Sequence, residues 1–199
     1  MGTRLYGFKL TIPGSVYKPA EDTFLLAENM HLNGGEEVLE IGCGCGVLSL
    51  LAARKARRVV AVDLNSEAVK AAKANALANS LESKVEVRLG NLFEPLKPGK
   101  EKFDLIIFNP PYLPGNLKDS SIAEKAWIGG RGGREILDRF LNDAGKWLKP
   151  KGRIIFVQSS ITGIKKTIRI LKAQGFRAKI LAEKKLFFET LYCVEAWIE

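Results

Sequence analysis

The sequence predicts an α/β fold: a sheet of seven strands, mostly parallel, with a C-terminal antiparallel hairpin and helices on both faces. Three observations predict it. Short, nearly continuous apolar runs recur along the chain, as in strands covered on both sides. Segments with helical apolar spacing separate those runs, which is the βαβ pattern. The last two runs are joined only by residues 184–189, too few for a crossover helix, so they pair antiparallel.

The elements follow in order. Glu37–Ile41 (Glu-Val-Leu-Glu-Ile) is the first sheet strand, and a helix begins near Val47 after a glycine-rich turn. Arg58–Asp63 (Arg-Val-Val-Ala-Val-Asp) is the second strand. In helix 66–79, Ala68, Val69, Ala72, Ala76 and Leu77 are spaced to share a face, and Asn65 or Ser66 can cap the start. Val85–Leu89 is the third strand, 103–109 (Phe-Asp-Leu-Ile-Ile-Phe-Asn) the fourth and 152–158 the fifth. Helix 136–148 is closed by Lys-Pro-Lys-Gly, and helix 161–174 ends at Gly175, a residue suited to the left-handed position after a helix. Strands 177–183 and 190–198 form the terminal hairpin. A helix is expected at 21–30, ahead of the sheet. With no repeat, linker or low-complexity run, residues 1–199 read as one domain, in which 1–36 form an N-terminal entry segment ahead of the sheet.

The 199 residues are 46% hydrophobic and 27% charged, which is ordinary globular composition. No apolar run approaches the roughly 18–20 residues that span a bilayer. The start, Met-Gly-Thr-Arg-Leu-Tyr, lacks a signal-peptide core, and Tyr6 departs from a myristoylation pattern. A cytoplasmic protein with no membrane partner is expected. Lys+Arg 31 against Asp+Glu 22 leaves +9, which opens a nucleic-acid reading. Yet Lys70, Lys73, Lys165, Lys166 and Lys172 fall singly on polar helix faces, the pattern of a solvated surface. Cys43 and Cys45 lie in the glycine loop, Cys193 is distant, and His31 is the one histidine, so neither a disulfide framework nor a zinc set is expected. Three reduced cysteines serve as small residues.

The first strand leads into Glu40-Ile41-Gly42-Cys43-Gly44-Cys45-Gly46. Glycines between a strand and a helix let a ligand approach bare backbone at the end of the sheet. The dinucleotide spacing G-x-G-x-x-G needs glycine at 47, where this chain has Val47. Alone, such a loop is equally a tight strand–helix turn. The second strand, however, ends in Asp63, whose carboxylate can accept both hydroxyls of an adenosine ribose. The third ends in Gly90-Asn91-Leu92-Phe93, where an amide can pair with an adenine amino group and apolar neighbours can pack the ring. Three successive strand ends thus offer amine, ribose and adenine contacts without pyrophosphate spacing. That points to an adenosine without phosphates, S-adenosylmethionine. The expected cofactor set is Glu40, Gly42, Gly44, Gly46, Asp63, Leu64, Asn91 and Leu92, with Asn109 from the next strand end.

The fourth strand ends in Asn109-Pro110-Pro111-Tyr112. Two prolines stiffen the turn and remove two backbone donors, leaving carbonyls to accept. A planar –NH2 group placed here donates to the Asn109 side-chain oxygen and to the Pro110 carbonyl, while Tyr112 stacks on its flat face. Holding both hydrogens concentrates electron density on a nitrogen whose lone pair is otherwise delocalised, and the acceptors act most strongly as positive charge develops there. Alignment of nitrogen, methyl carbon and sulfonium supplies the rest. No general base is evident, so the proton leaves after methyl transfer. Asn109, Pro110, Pro111 and Tyr112 are the expected catalytic and substrate-binding residues, with Leu113 beside them.

These motifs resemble those of class I S-adenosylmethionine-dependent methyltransferases and, more narrowly, of the HemK-like enzymes that methylate the glutamine of the Gly-Gly-Gln motif in peptide-chain release factors. The fold implied is the Rossmann-like methyltransferase sheet. Two further segments are similar to the short archaeal and eukaryotic branch: Val16-Tyr17-Lys18-Pro19-Ala20-Glu21-Asp22-Thr23, whose threonine contacts the cofactor in that branch, and Ala126-Trp127-Ile128-Gly129-Gly130-Arg131-Gly132-Gly133-Arg134-Glu135. The bacterial enzymes carry an extra N-terminal helical domain for which this chain has no room. Asn91 stands where many relatives have aspartate, and Cys43 and Cys45 where many have serine or threonine. The resemblance implies a release factor as substrate and a small zinc-binding activator protein as partner. The edge expected to receive that partner is Val85–Leu89, although Lys84, Glu86 and Arg88 also suit an ordinary protected edge.

Asn-Pro-Pro-Tyr alone also fits an adenine-N6 methyltransferase acting on RNA or DNA. A duplex enzyme needs extra surface to hold a distorted duplex, and the core consumes nearly the whole chain. A lysine ammonium suits a planar clamp less well and must first lose a proton. A cofactor-binding scaffold without activity leaves the intact Asn-Pro-Pro-Tyr loop unexplained. Tyr17 and Pro19 are expected to wall the cofactor. Arg131 and Arg134 are expected either to meet substrate or to be solvated, and Trp127 to act as a lid or as core.

Overall fold

A computed structural model describes residues 2–198. The chain begins with a small hairpin, β1 (Gly2–Leu5) and β2 (Phe8–Thr11), followed by helix α1 (Glu21–Asn29). Then come β3 (Glu37–Ile41), α2 (Val47–Ala53), β4 (Arg58–Asp63), α3 (Ser66–Ala78), β5 (Val85–Leu89) and β6 (Phe103–Phe108). The remainder is α4 (Glu135–Ala144), β7 (Leu148–Ser159), α5 (Ile164–Ala173), β8 (Arg177–Lys185) and β9 (Thr190–Trp197). Seven strands form one sheet in the order β5-β4-β3-β6-β7-β9-β8, parallel except for β9, which runs against both β7 and β8.

Alternation along the strands splits the core in two. Val38, Val59, Ala61, Leu105, Ile107, Ile155 and Val157 face α1, α2, α3 and β2. Leu39, Ile41, Val60, Val62, Ile106, Phe108, Ile154 and Phe156 face α4 and α5. The expected seven-stranded α/β sheet with helices on both faces is therefore present. Three strands have the expected ends, and the others differ at their margins. β7 begins at Leu148 rather than 152, because Leu148 pairs with Phe103 before the chain bulges outward and pairing resumes between Leu105 and Arg153. Helix α4 stops at Ala144, and the short turn Gly145–Trp147 continues it. Helix α5 starts at Ile164 rather than 161, after a separate turn at Ser160–Thr162.

Two expectations need correction. The N-terminal hairpin was not expected. Its turn uses Tyr6 (φ 51) and Gly7 (φ 83), the two consecutive left-handed residues that suit a tight hairpin. The buried face of α3 was also misplaced: Leu77 is 64% exposed, while Ala71 and Asn75 are buried. The two corrections share one cause. Asn75 Oδ1 accepts from Thr11 N at 2.8 Å and its Nδ2 donates to Thr11 O at 3.1 Å. One turn on, Asn79 does the same with Lys9, at 3.0 and 2.8 Å. Two amides one helical turn apart thus substitute for a neighbouring strand along β2, and the helix rotates to present them. Asn65 caps α3 as expected, its side chain accepting from Glu67 N at 2.9 Å.

Gly46 opens α2 at φ 83, and a Cβ there would lie 3.0 Å from the Ala72 Cβ and 3.3 Å from its Cα. Close contact of α2 with α3 therefore needs glycine for space as well as for φ. Gly163 shares the left-handed φ (76) with nothing within 4 Å of its would-be Cβ. Gly163→Ala should cost only the conformational penalty of roughly 1–2 kcal/mol, whereas Gly46→Ala adds overpacking of about 1–3 kcal/mol. Thermal melts of the two variants should show the larger loss at Gly46, and equal losses would refute this account.

Candidate active site

The loops after β3, β4, β5 and β6 converge on a cavity of about 1070 Å3 that opens to solvent. Glu40, Gly42, Gly44, Asp63, Leu64, Asn91, Leu92 and Asn109 line it, together with Tyr17, Pro19 and Thr23 from the N-terminal segment. Gly46 does not. It sits behind the wall, where it packs against Ala72. Leu117, Ile122, Lys125 and Ile136 also line the cavity. Sequence reasoning missed Leu117, Ile122 and Lys125, since the segment after the Asn-Pro-Pro-Tyr loop carries no periodic pattern, and it read Ile136 only as part of a helix.

Several of these residues are held by bonds that fix their function. Asp63 Oδ2 accepts from Gly44 N at 2.8 Å and Oδ1 from Asn65 N at 2.8 Å. The acid at the end of β4 thus braces the glycine loop as well as facing the cavity. Behind that loop, Asn75 Nδ2 donates to Cys45 O at 2.9 Å. Asn91 Nδ2 donates to Glu94 Oε1 at 3.0 Å, which leaves its Oδ1 as the acceptor an adenine amino group requires. Leu92 holds a left-handed φ of 51, uncommon for a branched apolar residue. Glu40 is buried and accepts from Ser49 Oγ. Burial, partly offset by that bond, raises its pKa to about 8. Cys43, Cys45 and Cys193 are free and buried, and burial pushes the Cys45 thiol up to about 11.

A second cavity of about 490 Å3 adjoins the first and is lined by Asp22, Pro110, Tyr112, Leu113 and Trp127. The two share Tyr17, Asn109, Pro111 and Ala126 as walls. At that partition the Asn109 amide is oriented from one side: its Nδ2 donates to Thr23 Oγ1 at 3.4 Å. Its Oδ1 is buried and has no hydrogen-bond partner. A buried carbonyl oxygen without a donor is costly and rare, so an acceptor position is kept ready between the cavities. Asp22 holds Tyr17 and Thr23, accepting from Tyr17 Oη at 2.8 Å and from Thr23 N at 2.6 Å. Burial and neighbouring carboxylates hold the Tyr17 and Tyr112 hydroxyls protonated, well above the ordinary phenol range.

Prolines leave the Asn-Pro-Pro-Tyr loop few backbone bonds of its own, and a second segment holds it. Leu113 N donates to Trp127 O at 2.8 Å and Gly129 N donates to Leu113 O at 2.9 Å. A Cβ on Gly129 would lie 2.4 Å from Pro111 O, and one on Gly133 (φ 71) would lie 2.0 Å from Tyr112 O. Both glycines are therefore required for the two backbones to touch. Arg134 fastens this segment. It donates to Asp138 at 2.6 Å, to Thr167 Oγ1 at 3.2 Å and to Thr162 O. Sequence leaves Arg134 either meeting substrate or solvated; in the structure its guanidinium instead bonds within the protein. Arg131 has an exposed side chain outside both cavities. Trp127 is 40% exposed over the second cavity, as a lid would be.

Comparison with known proteins places this geometry. Residues 16–188 match the family described as Methyltransferase small domain. A Methanocaldococcus jannaschii protein named for protein N5-glutamine methyltransferase activity is 44% identical over 194 residues, covering 96% of each chain. Human Methyltransferase HEMK2 is 34% identical over 187 residues, covering 88% of this chain and 86% of its own. The fold is similar to that of the E. cuniculi Mtq2–Trm112 complex, responsible for methylation of the eRF1 translation termination factor. The TM-score is 0.70 at 24% identity, covering 93% of this chain and 99% of the other.

Glu40 makes stability depend on pH. Burial holds its carboxyl near 8, against 4.5 for an ordinary glutamate, so between these values the native state keeps a proton that the unfolded chain has lost. The contribution is complete below the lower value and fades as pH rises through the upper one. Unfolding free energies across that window should fall by up to about 1.4 kcal/mol per pH unit from this group. Glu40→Gln should flatten the slope, and an unchanged slope in the variant would contradict a neutral buried Glu40.

Proposed function

We propose that this chain, which belongs to the small-domain methyltransferase family and to its HemK-like branch, is a protein-glutamine N5-methyltransferase acting on the Gly-Gly-Gln motif of a peptide-chain release factor. The observation that carries the reading is the unpartnered Asn109 Oδ1 at the wall between a cavity lined by the strand-end residues and a second one lined by the Asn-Pro-Pro-Tyr loop. The cofactor is S-adenosylmethionine, which supplies an electrophilic methyl group on a sulfonium sulfur when bound. Its adenosine fits the larger cavity: Asp63 for the ribose hydroxyls, Asn91 Oδ1 for the adenine amino group, and Leu64 and Leu92 against the ring. Glu40 and the bare backbone at Gly42 and Gly44 take the amino-acid end. Residues 1–36, through Tyr17, Pro19 and Thr23, close the pocket over it.

The chain's own residues prepare the nucleophile. Asn109 Oδ1 and the Pro110 carbonyl accept the two amide hydrogens, and Tyr112 and Pro111 hold the amide plane. A primary amide is a weak nucleophile because its lone pair is shared with the carbonyl. Acceptors fixed on both hydrogens favour the form with the pair localised on nitrogen, and they bind most tightly as positive charge grows there. Proline at two loop positions and glycine at 129 and 133 keep those acceptors from relaxing, so their orientation precedes the reaction. The proton departs to water afterwards, and no side chain need act as base.

The substrate assignment draws on the protein-glutamine activity in the name of the Methanocaldococcus relative and the eRF1 methylation ascribed to the Mtq2–Trm112 complex. A small zinc-binding activator is expected to cover β5, which is one edge of the sheet and ends in the exposed Leu89. Three free buried cysteines suit the cytosol, where release factors act.

Labelled cofactor should transfer methyl to a release factor, with or without the activator, and the label should vanish when the Gly-Gly-Gln glutamine is changed. Label appearing only in RNA would replace this reading with adenine methylation. Asn109→Ala should lower turnover by roughly 100-fold or more while cofactor affinity stays within a few-fold by calorimetry; unchanged turnover would sink the mechanism. Gly133→Ala should likewise spare cofactor binding and reduce turnover, because its Cβ displaces the Tyr112 carbonyl.

A further inference from the structure

Phe187 and Phe188 are 92% and 88% exposed, the most exposed large apolar side chains among the described residues. Burying a phenylalanine is worth about 2–3 kcal/mol, and two adjacent ones left in water call for an explanation. They form the turn between β8 and β9, and they are held firmly. Leu186 N donates to Glu189 O at 2.8 Å to close the turn, and Thr190 N donates to Ser160 Oγ at 3.0 Å to pin it beside the end of β7. Lys184 pairs with Glu21 at the start of α1. The two rings lean edge to face at 4.6 Å.

The position of this tip gives it meaning. β9 runs against β7, with Leu191 paired to Ser159, so the turn lies at the end of the sheet where the Asn-Pro-Pro-Tyr loop lies. Leu186 packs into the same core cluster as Tyr112, and the Glu189 carboxylate acts on both Tyr17 and Tyr112. Leu113, Trp127 and Ile161 are exposed on the same rim. The second cavity is walled by Asn109 and Tyr112, so the body of a macromolecule that sends a side chain into it must be held outside it. Asp22 lines this cavity, and the Glu189 carboxylate, whose Oε2 is buried without a partner, lies near enough to act on Tyr17 and Tyr112 in its wall. Carboxylates there oppose a phosphate backbone, whereas an apolar rim suits polypeptide.

Resting on the glutamine-methyltransferase reading, we infer that the Phe187–Phe188 tip is the docking contact for the protein substrate. It inserts into an apolar depression beside the methylated residue and sets the approach of the glutamine to Asn109. Intact substrate is therefore bound by the tip as well as by the cavity, while a short peptide uses the cavity alone.

The test is a Phe187→Ser, Phe188→Ser double variant compared with wild type on an intact release factor and on a short peptide bearing Gly-Gly-Gln. Melting temperature and cofactor affinity should be unchanged, since neither ring is in the core. KM for the intact factor should rise about tenfold or more, kcat should hold, and kcat/KM for the peptide should stay the same. An unchanged KM for the intact factor, or an equal loss on the peptide, would overturn the docking role while leaving the glutamine reading in place. Failure of wild type to label the factor would overturn both. A wild-type dimer that dissociates in the variant would assign the tip to a second copy of the chain instead.

Discussion

The molecule depends on a reversal of strand order at the centre of its sheet. From β3 the chain steps outward through β4 to β5, then returns to lay β6 on the other side of β3. Crossovers are right-handed, so α2 and α3 cover one face while α4 and α5 cover the other. The connections leave β3 and β6 in opposite directions and open a crevice at their carboxyl ends, where ligands bind in such sheets. Ile41 is paired with Phe108, so the glycine loop and Asn109 emerge from neighbouring strands. Two adjoining cavities are thereby placed side by side before any side chain takes part.

Within that crevice, polar groups divide between holding the loops and facing the cavities. Asp63 does both, bracing Gly44 and Asn65 with its two oxygens while lining the larger cavity. Thr23 orients the Asn109 amide so that its oxygen faces away from a partner. Arg134 ties the start of α4 to Thr162 and to Thr167 on α5, next to the glycines that meet Pro111 and Tyr112. The Asn-Pro-Pro-Tyr loop is held by close backbone contact with Gly129 and Gly133 as well as by its own prolines.

Much of this was legible from sequence where local chemistry and global fold agree. Buried parallel strands announce themselves by apolar runs, and β3, β4 and β5 have the ends that Glu37, Asp63 and Leu89 suggested. The strand-end residues also read correctly as lying together, because a parallel sheet delivers every strand end to one side. What escaped was whatever depends on contacts between distant segments. Asn75 and Asn79 are ordinary polar residues on a helix until β2 is known to lie beside them. Gly46 looks like loop backbone until Ala72 is seen behind it. Arg134 reads as open between substrate contact and solvent because its partners at 162 and 167 are distant in sequence. Leu117, Ile122 and Lys125 lack any periodic signature and reach the cavity by the path of an irregular segment.

The bonds of Asn75 have a consequence for the first residues of the chain. One amide joins three things: the end of β2, the interior of α3 and the carbonyl of Cys45 in the cofactor loop. Remove the hairpin and Asn75, otherwise sealed from water, keeps an oxygen with nothing to accept and a nitrogen free to pull the loop elsewhere. The opening strands are thus the far anchor of the cofactor pocket. A protein lacking only the hairpin would keep every residue that lines the first cavity and lose a support of its glycine loop.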